Sequence, residues 1–199
     1  MSHPDRDALN ARLDAVLIGG RERRAVVIAE PDPAWPARFA RERERIAAAL
    51  GAAALRIEHI GSTAVPGLPA KPIVDVLVEV ADAEDEPAFV PALEQAGYVL
   101  RVREPGHRML RTPELDVHVH VWTAGGEEAR RHLAFRDRLR ASDADRDAYA
   151  ALKRELAARE WDDINHYAEA KGPLIREIEA RAFREAREGR MRRSPRPSP

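Results

Sequence analysis

The sequence contains no cysteine, and this absence removes several kinds of chemistry. With no Cys among 199 residues, disulfides, thiolate metal sites and Cys nucleophiles are all excluded. No apolar run approaches the roughly 20 residues that span a bilayer. Residues 1–20 also lack the continuous apolar core of a secretory signal. We therefore expect a cytoplasmic protein that has no membrane partner.

The sequence also lacks an excess of either charge. Its 33 basic and 34 acidic residues leave a formal net charge of -1, so no overall field attracts nucleic acid or an anionic membrane. Aromatic residues make up only 5% of the chain, which disfavours an extended surface for stacking bases. Any anion site must therefore be local. The 44% of hydrophobic residues is enough to bury one core, which predicts one compact unit.

The order of the predicted elements indicates an α+β fold. The predicted strands are 24–30, 57–60, 73–80, 98–103, 108–111 and 115–122, and the predicted helices are 8–18, 33–50, 84–96, 127–140, 143–159, 161–171 and 173–187. This order predicts a mixed or antiparallel sheet with helices, followed by a C-terminal helical layer. We expect an N-terminal extension over residues 1–24, one domain over residues 25–188 with its sheet before residue 127, and a disordered tail over residues 189–199.

The stretch from Ile57 to Val80 carries the first candidate site. A strand ends there in a Gly-Ser-Thr turn, and a second, almost entirely apolar strand contains Asp75. A carboxylate in a buried strand needs a metal, a cation or hydrogen bonds to receive it. The turn offers backbone N–H groups and hydroxyls that can hold a phosphate or carboxylate oxygen, although an ordinary turn is the alternative. Lys71, between turn and strand, could meet a phosphate or pair with Asp75.

The stretch LDVHVHVW carries the second candidate site. Strand alternation places Asp116, His118 and His120 on one face and three valines on the other. Two imidazoles and a carboxylate suit zinc, manganese or iron better than magnesium, which prefers oxygen ligands. The alternatives are contact with a ligand without any metal, or polar residues on a half-exposed strand. His59 is a fourth candidate ligand.

The predicted helices after residue 126 carry cations at helical spacing. Arg136 stands four residues before Arg140, and two Tyr/Lys pairs repeat the same spacing: Tyr149 with Lys153, and Tyr167 with Lys171. If these helices face the sheet, their cations would form a pocket for a polyanion. Cations on helices are usually solvated or paired with acidic neighbours, so each position alone is weak support.

These residues together resemble the GrpB family of nucleotidyltransferase-like proteins. The resemblance covers about Ala25 to Ala182. It includes PDPAWPARF, is most specific in EHIGSTAVPGLPAKPIVDVLVEV, and continues through VHVHVW, HLAFRDRLR and the two Tyr/Lys pairs. It implies the fold of polymerase-β-type nucleotidyltransferases, with Gly61 and Ser62 in the phosphate-binding turn and Asp75 as the first metal carboxylate. The second carboxylate position holds Leu77, and Glu79 follows two residues later. Since two-metal phosphoryl transfer needs paired carboxylates, we expect either an imidazole-containing metal site or a fold that has lost transfer.

The leading hypothesis is a nucleotidyltransferase-fold protein that binds a nucleotide or small phosphorylated substrate with Mg²⁺, Mn²⁺ or Zn²⁺. The predicted catalytic and metal-binding residues are Asp75, Asp116, His118 and His120, and the predicted substrate- and phosphate-binding residues are Gly61, Ser62, Thr63, Lys71, Arg136, Tyr149, Lys153 and Lys171. The alternative is a non-catalytic ligand-binding or accessory module that assists a partner protein. Some family members are fused to dephospho-coenzyme A kinase. This sequence has no GxxxxGK[ST] motif, so P-loop kinase activity is not expected.

Overall fold

A computed structural model describes residues 3–193 of the chain, and its side chains between residues 6 and 188. The helices are α1 (His3–Val16), α2 (Trp35–Leu50), α3 (Val90–Gln95), α4 (Glu127–Ala141), α5 (Asp143–Ala157), α6 (Ile164–Ala170) and α7 (Gly172–Arg193). The strands are β1 (Arg56–Ile60), β2 (Val74–Val80), β3 (Val99–Glu104), β4 (His107–Arg111) and β5 (Val117–Thr123). None of the described helices is long and apolar enough to cross a membrane.

The five strands form one mixed sheet in the order β1-β2-β5-β4-β3. Strands β2 and β5 are parallel, and the other three neighbouring pairs are antiparallel. The predicted α+β fold with a mixed sheet is confirmed. The parallel pairing aligns Asp75 with His118 and Leu77 with His120, so it brings the two candidate sites to neighbouring strands.

One face of the sheet carries the main hydrophobic core. Alternate valines of β2 and β5, including Val76 and Val119, are fully buried against Ile46 of α2 and Leu93 of α3. Burial of one such side chain stabilises the fold by roughly 1.5–3 kcal/mol. Strand alternation then directs the intervening residues, Asp75, His118 and His120 among them, to the opposite face. We call this opposite face the cavity face.

Helix α4 covers one end of the cavity face. Leu77 of β2 and Trp122 of β5 pack there with Leu133 of α4 in a separate buried cluster. A third cluster joins the helices to the loop after the Gly-Ser-Thr turn, where Leu68 is buried with Leu139 and Ile178. The C-terminal helices are therefore fastened to both the sheet and the turn, and a cavity remains between them.

The predicted strand over residues 24–30 does not form a ladder. Only Ala29 pairs, through two reciprocal backbone hydrogen bonds with Ala70, and Val27 is 63% exposed. The burial of residues 22–28 still alternates, as the sequence pattern predicts. The segment is extended but finds no neighbouring strand along its length, so a single bridge is all that it makes.

Several helix boundaries differ from the predicted ones. Helix α2 begins at Trp35, and Asp32 instead accepts a hydrogen bond from Ala34 N at 2.8 Å in the preceding turn. The predicted helix over residues 84–96 is reduced to α3, because Phe89 adopts a φ of -144° and interrupts the helical path. Helix α7 continues to Arg193, past the predicted start of the tail. Residues 194–199 of that predicted tail lie outside the described part of the chain.

Candidate functional site

Asp75, His118 and His120 converge on the cavity face. The Asp75 carboxylate oxygen Oδ1 lies 3.3 Å from His118 Nδ1 and 3.6 Å from His120 Nε2. The ligand atoms of all three residues lie within 4.8 Å of one another. Zinc bonds of 2.0–2.1 Å in a tetrahedron separate ligand atoms by about 3.4 Å, so both measured distances suit a shared divalent cation.

The surroundings of Asp75 favour its ionised form. Burial alone would raise the pKa of this carboxyl, but its interactions with His118 and His120 outweigh burial and hold the pKa well below its usual value. Burial lowers the pKa of His120, which favours the neutral imidazole that metals require. A carboxylate beside neutral imidazoles is a ligand set of the zinc, manganese or iron type.

The Gly-Ser-Thr turn lies directly against Asp75. Gly61 has a φ of +69°, and a Cβ added there would lie 2.3 Å from Asp75 Oδ2. The close approach of this backbone to the carboxylate therefore requires glycine. Ser62 follows at the start of a short 3-10 turn and lines the cavity. The turn and the carboxylate thus form one continuous wall, as the sequence predicts for a phosphate-type turn beside a buried carboxylate.

Lys153 of α5 reaches the same turn. Its ammonium donates to Ser62 Oγ at 3.0 Å and also to the backbone carbonyl of Pro69. The ammonium lies 4.9 Å from the centroid of the Tyr149 ring. Burial, together with the positive charges of Lys171 and Arg154, lowers the pKa of Lys153 to about 7. The Lys153 ammonium therefore holds the Ser62 hydroxyl at the cavity wall, and no carboxylate in the described part of the chain balances its positive charge.

Lys71 and Lys171 both lie over the ring of one buried tyrosine. Their ammonium groups are 5.5 Å and 4.7 Å from the centroid of the Tyr167 ring. Burial lowers the pKa of each lysine to about 8, and in both cases Asp75 opposes that effect. The Tyr167 ring is fully buried, yet its hydroxyl has no hydrogen-bond partner among the described residues. An unpaired buried hydroxyl indicates a position for a ligand or water.

The chain has only three lysines, and all of them line this cavity. Every other basic residue is arginine. No carboxylate among the described side chains forms an ion pair with any of the three ammonium groups. The cavity has a volume of about 520 Å³, within the usual range for sites that bind small ligands. It therefore combines a candidate cation site with unpaired ammonium groups.

The N-terminal segment closes one side of the cavity. Leu13 of α1, Leu17 and Glu22 line it. The Glu22 carboxylate receives two hydrogen bonds from Arg111, at 2.6 and 3.0 Å, and these hold its pKa near 2. Helix α1 is joined to α6 by a hydrogen bond of 2.8 Å between Asn10 and His166. The segment expected to be an extension is thus part of the cavity wall.

The structure does not bring Asp116 to the candidate metal cluster of Asp75, His118 and His120. Its carboxylate pairs with Arg38 of α2 and accepts a hydrogen bond of 2.7 Å from Thr112 Oγ1. Asp116 precedes the first residue of β5, so the strand alternation that directs His118 and His120 does not extend to it. Its attraction to Arg38, on the helix that covers the core face, decides its direction.

Arg136 also lies away from the cavity. Its guanidinium donates to Glu58 and to the His59 carbonyl, both at 2.9 Å, and to Asp137 at 2.8 Å. These bonds fasten α4 to β1. Arg140 likewise donates to the Ala64 carbonyl, at 2.8 and 2.9 Å. Both arginines stabilise the packing of α4, and neither of them lines the cavity.

Two further candidates have structural partners. The Thr63 hydroxyl is buried; it donates to the Ile73 carbonyl at 3.1 Å and is 3.0 Å from His59 Nε2, so it does not line the cavity. The His59 ring stacks on Phe39 of α2 with centroids 4.6 Å apart. His59 is aligned with Val76 of β2, so it lies on the core face and outside the metal cluster.

Within the part of the chain that the structure describes, no second carboxylate stands beside Asp75 to share a cation with it. Leu77, at the position of the second metal carboxylate, is fully buried beneath α4. Glu79 lies two residues further on, where it accepts a hydrogen bond of 3.0 Å from Gly125 N. Among the described residues, the groups that can join Asp75 in holding a cation are the two imidazoles. Asp75 and Glu79 therefore do not form a carboxylate pair that could hold a metal.

Sequence reasoning missed two histidines of the cavity and a glutamate beside it. His107 Nε2 lies 3.1 Å from His120 Nδ1, and Glu104 Oε2 lies 3.1 Å from His107 Nδ1. The alternation of β4 carries the signal for His107, because buried Leu110 assigns His107 to the cavity face. His132 of α4 also lines the cavity, and burial lowers its pKa to about 4. The Pro105-Gly106 dipeptide is the local signal for Glu104, because a tight turn there pairs Glu104 with His107 across the hairpin.

Comparison with known proteins gives consistent matches. A family model described as GrpB protein matches residues 25–181. A UPF0157 protein of Halalkalibacterium halodurans is 50% identical over 161 residues, which is 79% of this chain and 83% of that protein. A dephospho-CoA kinase of Mycolicibacterium paratuberculosis is 31% identical over 190 residues, which is 81% of this chain but only 47% of the kinase.

A solved structure agrees with the sequence matches. The crystal structure of conserved protein GrpB from Enterococcus faecalis is similar to this chain with a TM-score of 0.71 and 35% identity. The similarity covers 80% of this chain and 99% of that one. The N-terminal part of the cavity wall, up to Arg24, precedes the range that the family model matches.

Proposed function

The chain belongs to the GrpB family, and from this premise we propose that it binds a nucleotide or another small phosphorylated ligand together with a divalent cation. The proposed reaction is nucleotidyl or phosphoryl transfer. One observation carries the proposal: the only three lysines of the chain share a cavity with Asp75, His118 and His120, and none of the three is paired with a carboxylate among the described side chains.

The chemistry of the cavity supports a phosphorylated ligand. Burying three ammonium groups without counter-ions costs free energy, as their lowered pKa values of about 7 and about 8 indicate. Phosphate oxygens would supply the missing negative charge and would accept hydrogen bonds from Ser62 and Tyr167. Lysine is a compact point charge that suits this role. The cation held by Asp75 and the imidazoles would neutralise further phosphate charge.

The similarity to dephospho-CoA kinase does not extend the proposal to that reaction. Only 47% of the kinase is matched, and this sequence has no GxxxxGK[ST] motif, which the kinase reaction would need for phosphate binding. Coenzyme A remains a reasonable probe, because it combines a nucleotide with several phosphates.

A second candidate function is a non-catalytic ligand-binding or accessory module. Two observations favour a non-catalytic module. Leu77 is packed under α4, and Glu79 accepts a hydrogen bond from Gly125 N. Neither residue can therefore form, with Asp75, the pair of carboxylates that two-metal transfer uses. This candidate predicts ligand binding without consumption of the ligand. Turnover of a nucleoside triphosphate at a rate that depends on Asp75 would contradict it.

The first test is ligand binding measured by thermal shift and calorimetry. Wild type, Asp75→Asn and the exposed control Asp147→Asn are titrated with Mg²⁺, Mn²⁺ and Zn²⁺, each with and without nucleoside triphosphates and coenzyme A. A ligand at a hundred times its Kd stabilises the fold by about 2.7 kcal/mol. We expect a metal-dependent shift in wild type and Asp147→Asn that is lost in Asp75→Asn. Equal shifts in all three proteins would refute the site.

The lysines provide an independent test. An amine-reactive acetylating reagent can modify only Lys71, Lys153, Lys171 and the chain amino terminus. We expect triphosphate with metal to slow acetylation of the three lysines, measured by mass spectrometry, and to leave acetylation of the amino terminus unchanged. Unchanged lysine acetylation at a ligand concentration that saturates the thermal shift would place that ligand elsewhere.

A further inference from the structure

A row of four side chains runs outward from the candidate metal site. Asp75 Oδ1 is 3.6 Å from His120 Nε2, and His120 Nδ1 is 3.1 Å from His107 Nε2. The other ring nitrogen of His107, Nδ1, is 3.1 Å from Glu104 Oε2. The row crosses from β2 through β5 to β4 and ends at β3. Glu104 and His107 have no part in the function proposed above.

When both imidazoles are neutral, the donor and the acceptor of each hydrogen bond in this row are fixed. A carboxylate accepts hydrogen bonds and does not donate them, so His107 donates its Nδ1–H to Glu104. A neutral imidazole has only one N–H, and His107 Nε2 must therefore accept the Nδ1–H of His120. The remaining nitrogen, His120 Nε2, carries a lone pair. The hydrogen bond from His107 also holds the pKa of Glu104 below its usual value, which keeps this acceptor ionised.

The lone pair on His120 Nε2 faces the Asp75 carboxylate. Two acceptors 3.6 Å apart repel each other unless a cation lies between them, in the place of the His120 N–H that in the other tautomer would donate to Asp75 and lower its pKa. We infer that Glu104 and His107 are positioning residues, which select the His120 tautomer whose Nε2 can bind a divalent metal of the zinc type together with Asp75. This inference depends on the metal site of the proposed function, and it adds the residues that orient one ligand of that site.

Ring stacking keeps the row in place. The His107 and His120 rings lie 4.8 and 5.3 Å from the Trp122 ring, with interplanar angles of 16° and 9°. His107 is aligned with Trp122 in the pairing of β4 and β5, so the backbone register places it there. The side chains of His107 and His120 are only 15% and 20% exposed. Water therefore competes little for their ring nitrogens.

Zinc binding to the full-length protein tests the inference. Calorimetric titration compares wild type, His107→Phe, Glu104→Ala and Glu104→Gln with the control Glu114→Gln, which removes an exposed carboxylate outside the cavity. Phenylalanine keeps the stacking on Trp122 and removes both nitrogens. We expect His107→Phe and Glu104→Ala to weaken zinc binding by about 10- to 100-fold. Glu104→Gln, which retains an acceptor oxygen, should recover part of that loss. Wild-type affinity in His107→Phe and Glu104→Ala would overturn the inference.

Ring-nitrogen NMR of the metal-free protein gives a second readout, which a purely structural role would not change. We expect the His120 spectrum to report a protonated Nδ1 and an unprotonated Nε2, and His107→Phe to lose this preference. The opposite tautomer in wild type would overturn the inference. If zinc binding requires Asp75 but is unchanged by substitution of Glu104 and His107, the positioning role is contradicted and the metal site of the proposed function is retained. Absence of zinc binding in wild type would contradict the metal site of the proposed function, and the NMR result would still decide the tautomer.

Discussion

Replacing Gly61 by alanine should disable the candidate metal site, and its effect can be worked out from two features. The first is the backbone of Gly61, whose φ of +69° and ψ of -171° lie in a region that is essentially restricted to glycine and that costs a residue with a Cβ about 1–3 kcal/mol. The second is contact, because the new Cβ would lie 2.3 Å from Asp75 Oδ2 and 3.0 Å from Asp75 Cγ. One of the two groups must move, and forced repacking of this kind costs about 1–3 kcal/mol. The sum is a loss of about 2–6 kcal/mol in the free energy of unfolding.

Gly67 provides a matched control for the same substitution. Its φ is +76°, but a Cβ added there meets no atom within 4 Å. Gly67→Ala should therefore show the backbone cost alone, about 1–2 kcal/mol. In a chain of this size each kcal/mol lowers the Tm by about 2–4 °C. The difference between the two variants measures the displacement of Asp75.

The assay combines urea unfolding with zinc titration of both variants. Displacing the Asp75 carboxylate should weaken zinc binding about tenfold or more in Gly61→Ala, which corresponds to about 1.4 kcal/mol. Gly67→Ala should bind zinc like wild type. If both variants lose the same stability and both bind zinc like wild type, the close approach of the turn to the carboxylate has no functional meaning, and the reasoning is refuted.

Two further predictions concern charged side chains. The stability of wild type should rise from pH 7 to pH 10, because the pKa of Lys153 is about 7 in the folded chain and 10.5 in the unfolded chain, so unfolding takes up a proton in this range. Lys153→Met should reduce that slope by up to about 1.4 kcal/mol per pH unit in urea unfolding at several pH values, and an unchanged slope would contradict burial of the ammonium. Arg136→Met should lower stability by about 1–3 kcal/mol, because the His59 carbonyl loses its donor, yet it should leave ligand and zinc affinity unchanged. Weaker ligand binding in that variant would restore Arg136 to the phosphate site.

Much of the sheet and part of the site could be predicted from local sequence patterns. The alternation in VHVHVW assigns His118 and His120 to one face, and the structure confirms that assignment, because the intervening valines are buried in the core. The apolar strand around Asp75 marks that carboxylate as needing a partner. Both inferences hold because strand periodicity is a local property, set by the backbone of a few neighbouring residues.

Other parts of the site depend on pairing between distant segments. The parallel register of β2 and β5 places Asp75 beside His118, and no local pattern predicts that register. The approach of Lys153 to Ser62 joins residues far apart in the chain. The inclusion of residues up to Arg24 in the cavity wall likewise depends on where α1 packs.

The sequence by itself determined which residues needed partners, and only the tertiary structure decided what those partners are. Asp116 shows the limit most clearly, since its spacing from His118 suits a metal ligand but its carboxylate pairs with Arg38 of α2. Glu104 and His107 show the converse, because their spacing does not suggest metal ligands and yet hydrogen bonds connect them to His120. Periodicity determines the face on which a side chain lies. The partner of a charged or polar group is chosen by whichever opposite charge or hydrogen-bonding atom the packed fold brings within a few ångströms.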